Sequence, residues 1–171
     1  DVPLTWEHEY DEFMMGLQLE MQGDGPGATA AYLRAERLDP TSAEMPAALA
    51  ELYARLNRPA EAIAAGERAV KASPTNPEAN WILGSLYARM SEAPNTRQAD
   101  RRTFTARAIA SLEHASRNAH PGVPTMLGRL YITDGQFDKA IAMLAPFVSD
   151  QPDQIEAVGM LAEAYQGADR G

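Results

Sequence analysis

Residues 121–154 form the most constraining stretch of the chain. In PGVPTMLGRLYITDGQFDKAIAMLAPFVSDQPDQ, Leu127, Gly128 and Tyr131 stand at helical spacing and Asp134-Gly135 breaks the pattern. A second apolar stripe then runs through Ala140, Leu144 and Phe147 and stops at Pro152. These 34 residues encode two amphipathic helices and the turn between them, a helical hairpin.

The same spacing recurs along the chain. Residues 43–76 supply Leu49, Ala50, Tyr53, Ala62, Ala69 and Pro74 in the corresponding slots, and residues 9–42 supply Met15, Gly16, Leu19, Gly23, Ala28, Tyr32, Ala35 and Pro40. Residues 77–120 carry Leu83, Gly84 and Tyr87, then Ala108, Leu112 and Ala115, with twelve extra residues between the halves. A fifth first helix, 155–167, holds Leu161, Ala162 and Tyr165. The eighth slot is always small (Gly16, Ala50, Gly84, Gly128, Ala162), and so is the twentieth (Ala28, Ala62, Ala108, Ala140). Close crossing of the two helices explains both, because a side chain larger than methyl there would force the axes apart.

This pattern resembles the tetratricopeptide repeat over about residues 9–166. The resemblance implies an all-α fold, a right-handed superhelical solenoid of four antiparallel helix pairs and a final single helix, in one domain spanning 1–171. It also implies that first helices line a concave groove through slots 2, 5, 9, 12 and 13. Carried over, those slots hold Tyr10, Phe13, Leu17, Glu20 and Met21, then Glu44, Ala47, Glu51, Ala54 and Arg55. The third repeat offers Glu78, Trp81, Ser85, Ala88 and Arg89, and the fourth Thr125, Arg129, Ile132 and Thr133. The expected contact set is Tyr10, Phe13, Leu17, Arg55, Trp81, Ser85, Arg89 and Arg129, an aromatic anchor and apolar side chains with planar donors for carboxylates or carbonyls. Packing of Trp81 against a neighbouring repeat is the competing reading. The chaperone-tail clamp of one class in this family is absent, since its slots read Phe13, Leu17, Ala48, Glu78 and Ile82.

The charge is uneven. Residues 1–24 contain seven acids and no Lys or Arg, within a net charge of −9. Either this is the solvated face of a terminal repeat or an acidic contact surface. Residues 89–117 carry six arginines against three acids, the one clearly basic region. The insert in that region, with Asn95 and Gln98 spaced like a capping box, is expected to extend the returning helix by roughly 18 Å through to Asn118. Arg97, Arg101 and Arg102 would then form a basic contact helix for an acidic partner, such as the first helix of another copy.

Catalysis finds little support. His8, His114 and His120 show no zinc-protease spacing, and nucleophile-elbow, phosphate-loop and dinucleotide motifs are missing. His8, Asp11 and Glu12 share a helix face, but as an exposed trio without a further ligand, so no metal or cofactor is expected. The chain has no cysteine and no apolar run near 18 residues; compartment stays open, cytoplasmic or exported. An acidic charge without a regular basic code argues against nucleic acid. Ile155, Val158, Leu161 and Tyr165 form a stripe without its usual cover, which suggests that the chain continues or that two copies pair there. The expected function is a non-catalytic scaffold for a protein or peptide. The alternatives are a self-association module or an accessory domain of a larger enzyme such as a glycosyltransferase.

Overall fold

The structure, a computed structural model, describes residues 5–115 and 120–170, with side chains from Glu7 onward. The lead-in 1–4 lies outside the described residues, as do Arg117 and Asn118 of the arginine-rich stretch. Among the described residues there are nine α-helices and no strand. They are α1 (Thr5–Met21), α2 (Gly25–Leu38), α3 (Glu44–Arg55), α4 (Pro59–Ala72), α5 (Pro77–Glu92), α6 (Gln98–His114), α7 (Val123–Thr133), α8 (Phe137–Asp150) and α9 (Ile155–Ala168).

Three hairpins turn in the same way. Gly23, Asn57 and Gly135 follow α1, α3 and α7 with φ of 77°, 56° and 74°. The amide of the next residue donates to a carbonyl five residues back, Asp24 to Leu19, Arg58 to Tyr53 and Gln136 to Tyr131, at 2.8–2.9 Å. This left-handed cap satisfies carbonyls that the helix end leaves open, and Gly or Asn suits it because neither strongly resists positive φ. Returning helices begin at once: Asp24 caps α2 by accepting from the Gly27 amide at 2.9 Å, and Pro59 opens α4.

The chain forms two compact units, Asp1–Leu83 and Gly84–Gly171, and the division passes through α5. In the first, α1 packs on α2 and α3 on α4, with α2 against α3; in the second, α7 packs on α8, and α9 on both. The small slots sit where the helices cross. Ala28, Ala62, Ala108 and Ala140 are fully buried, and Gly16, Ala50, Gly84 and Gly128 are buried too. A methyl group built on Gly128 would stand 2.6 Å from Cδ2 of Leu144; one on Gly16 would overlap the Tyr32 ring, and one on Gly84 would overlap Leu112. Those glycines are therefore fixed by packing, and none of the three has a positive φ.

Gly159 in α9 is different, because nothing lies within 4 Å of where its Cβ would be. Gly159→Ala should therefore stabilise the protein by about 0.5–1 kcal/mol, since a helix-interior glycine costs backbone entropy with no packing in return. Thermal unfolding checks this as a rise in Tm of a few degrees.

Three sequence expectations are corrected. Met15, placed in the core stripe, is 47% exposed because no described helix packs outside α1 at that slot. Ala162 is exposed for the same reason on α9. The insert does not make one projecting helix. α5 runs 16 residues against 12 in α3, a five-residue connection (93–97) follows, and α6 has 17 residues against 14 in α4. Three extra residues add about 4.5 Å, not 18 Å. Asn95 caps nothing; Arg97 is the N-cap of α6 and makes no side-chain cap bond. Thr96 holds the connection instead, its hydroxyl donating to the Met90 carbonyl at 2.7 Å.

Candidate functional site: an acidic groove on the first unit

In Asp1–Leu83 the inner faces of α1, α3 and the start of α5 converge. Asn76 opens α5 by accepting from the Ala79 amide at 2.9 Å, and Asn80 donates to the Pro74 and Asn76 carbonyls, so Glu78 is held on a fixed first turn. A cleft of about 290 Å³ results, lined by Phe13 and Leu17 from α1, Ala47 and Ala48 from α3, and Tyr32 beneath. Glu20, Glu44, Glu51 and Glu78 line it as well. Of the expected contact residues, Phe13 and Leu17 line this cleft, while Tyr10, Arg55 and Trp81 of the same unit do not. Beside the cleft lies a wider hollow of about 1020 Å³ between the outer half of α1 and the edge of α3, bounded by Met14, Leu17 and Met21 and by Glu51 and Arg55.

The remaining expected residues are placed as follows. Tyr10 is exposed on α1, and Trp81 is half-buried on α5. Arg55 is held within the chain: its guanidinium pairs with Glu20 and, at 2.5 Å, with Glu51. Tyr32 donates its hydroxyl to the same Glu20. These links tie α1, α2 and α3 together through one carboxylate. In the second unit Ser85 is half-buried, Arg89 is exposed, and Arg129 stands 3.6 Å from Glu92. Arg97 bonds Asp100 at 2.7 Å, while Arg101 and Arg102 are exposed on the first turns of α6. Arg107 lies 5.5 Å over the Tyr87 ring, which stacks on Phe104. Sequence spacing did not single out Arg107 or Phe104.

The electrostatics of the first unit are one-sided. Its sequence holds fourteen acids and six bases, a net −8, against ten acids and nine bases, −1, in the second. Burial, followed by the nearby Asp39 and Glu44 carboxylates, pushes the Glu9 carboxyl up. Burial and the Glu51 charge likewise push the Tyr32 hydroxyl up, so it stays a neutral donor. With Arg55 engaged by Glu20 and Glu51, the groove presents apolar surface within a unit of net negative charge. Of the His8, Asp11 and Glu12 trio, Glu12 pairs with Arg34 at 2.9 Å, and among the described residues no group of three metal-ligating side chains is assembled.

A family model of the tetratricopeptide repeat matches residues 13–77 and 47–93. The chain is a tetratricopeptide-repeat protein. Among solved structures, the MamA protein is 27% identical with a TM-score of 0.72, covering 95% of this chain and 84% of that one. TTC0263, a thermophilic tetratricopeptide-repeat protein of Thermus thermophilus, is 23% identical with a TM-score of 0.59, covering 95% and 84%. Pseudomonas aeruginosa PilF is 19% identical with a TM-score of 0.65, covering 96% and 75%. No curated protein matches in sequence. Tetratricopeptide-repeat proteins are in general scaffolds that bind proteins or peptides, and they are generally not catalytic. In this tetratricopeptide-repeat chain no helix among the described residues is long and apolar enough to cross a membrane.

Proposed function

We propose that this chain, acting as one domain over 1–171, is a non-catalytic scaffold that holds a segment of another polypeptide against the inner faces of its first helices. One observation supports the reading: Phe13, Leu17 and Ala47, three of the positions that the family resemblance assigns to the groove, line one cleft of the first unit. Tyr10 and Trp81 are proposed as further contacts in that unit, and Ser85, Arg89 and Arg129 as contacts in the second. Arg55 has a different role in this proposal. It shapes the rim by holding Glu20 and Glu51 and offers less to a ligand carboxylate than its position suggests.

Ala48 is half-buried at the cleft, so Ala48→Arg fills it without opening the core. Selection from a displayed random-peptide library should enrich binders of the native protein, and Ala48→Arg should weaken them at least tenfold with Tm within about 2 °C of native. Trp81→Ala should weaken the same peptides. A library that yields no peptide preferring the native protein over Ala48→Arg would contradict this function.

A further inference from the structure

The second helices of the first unit border a concavity that the groove does not share. It measures about 470 Å³ and lies between the last turns of α2 and α4, the connection at Pro40–Ser42 and the first turn of α3. None of its lining residues borders the cleft or the wider hollow, and none stands at a position that the family resemblance assigns to the groove.

Its polar side chains are donors with no carboxylate left to meet them. Arg68 is fixed by a two-point pair with Glu36, Nε at 2.7 Å and Nη2 at 3.1 Å, which leaves the Nη1 hydrogens uncommitted. Lys71, three residues further along α4, makes no ion pair among the described residues. Ser42 accepts the Glu44 amide at 3.2 Å through its hydroxyl oxygen, so the hydroxyl proton is left over. Thr41 adds nothing, because its hydroxyl is donated to Asp39 at 2.6 Å. Glu36 is the one carboxylate in the lining, and Arg68 already occupies both of its oxygens. Arg68 and Lys71 against Glu36 leave this lining at +1, within a unit of net −8.

This combination narrows the ligand. Uncommitted donors on Arg68, Lys71 and Ser42 suit the three oxygens of a phosphate group, whereas a carboxylate offers two. The hollow has room for more than the phosphate itself, on the scale of small-molecule pockets. Pro40, Pro46 and Ala72 supply an apolar wall for the remainder, and the two prolines hold its backbone in a fixed conformation.

We infer that the hollow between α2, α4 and the start of α3 binds the phosphate group of a small phosphorylated molecule through Arg68, Lys71 and Ser42. The site is separate from the groove and stands whether or not the groove holds a polypeptide.

The probes are inorganic phosphate and ribose 5-phosphate, titrated into the native chain at constant ionic strength and followed by amide chemical shifts. Both should give saturable shifts at amides within 40–46 and 68–72, while ribose and acetate should not. Lys71→Gln and Ser42→Ala should each weaken phosphate by roughly tenfold, the scale of one charge-assisted hydrogen bond, with unchanged helical circular dichroism. Ala48→Arg, which fills the cleft, should leave phosphate binding as it is. Shifts that grow linearly without saturating would overturn the inference, and so would acetate binding as tightly as phosphate. A third contrary result is native affinity in Lys71→Gln together with a lowered Tm, because Lys71 would then serve only the carboxyl end of α4.

Discussion

Tyr32→Ala should cost the first unit about 3–5 kcal/mol, the range for removing a buried aromatic ring from a core that cannot collapse around the loss. Tyr32 is fully buried on α2, its ring covers Gly16 of α1, and the Phe13 ring lies 5.6 Å away centroid to centroid. No neighbour can easily fill the space, because the α1 residue facing the ring has no side chain. The hydroxyl adds a separate contribution through its bond to Glu20. Tyr32→Phe keeps the ring and should cost about 1.5–3 kcal/mol, the scale for a hydrogen bond to a charged group. Urea unfolding of the two variants separates the ring from the hydroxyl. A loss below 1 kcal/mol for Tyr32→Ala would mean that α1 is not anchored on α2 through this ring. Because α1 carries Phe13 and Leu17 of the cleft, Tyr32→Ala should also weaken binding there.

Leu144→Ala should cost about 2–5 kcal/mol in the second unit. Leu144 is fully buried where α8 meets Gly128 of α7, and it also belongs to a cluster with Ala157 and Met160 of α9, flanked by Ile132, Phe147 and Leu161. Removing it opens a space on two helix interfaces at once, so α9 should loosen together with the α7–α8 hairpin. Amide exchange should show the loss along α9 as well as α8. Loss of protection confined to α8 would place Leu144 outside the α9 interface.

The repeat made much of the fold legible because its rule is steric and local. A crossing of two helices admits only Gly or Ala, so Gly16, Ala50, Gly84 and Gly128 mark the contacts wherever they stand in sequence, and each is buried. Ala162 obeys the same spacing yet is exposed, since the small slot records what could pack there and not whether a described helix does. The insert was harder for a different reason. Its length is fixed by counting, but how twelve residues divide among α5, the connection and α6 depends on which polar side chain closes the helix end. Thr96 does so through the Met90 carbonyl, while Asn95 and Gln98 only matched the pattern of a cap.

The groove shows the same split. Phe13 and Leu17 at the cleft follow from the slots that the family resemblance assigns. The engagement of Arg55 does not, because Glu20, one of its two partners, lies 35 residues earlier on another helix. With that guanidinium engaged, Arg55 has less to offer a ligand carboxylate than its position suggests.

Everything rests on hairpins that touch through their small residues, and a double-mutant cycle between Gly128 and Leu144 measures that contact. In the native background Gly128→Ala gains up to about 1 kcal/mol of helix propensity but must displace Leu144, at about 1–3 kcal/mol. In the Leu144→Ala background the added methyl enters vacated space, and only the gain should remain. Close packing predicts a coupling energy of at least 1 kcal/mol, with Gly128→Ala stabilising only when Leu144 is gone. Equal effects of Gly128→Ala in both backgrounds, additive within about 0.5 kcal/mol, would show that α7 and α8 do not meet at this slot and would contradict the repeat packing itself.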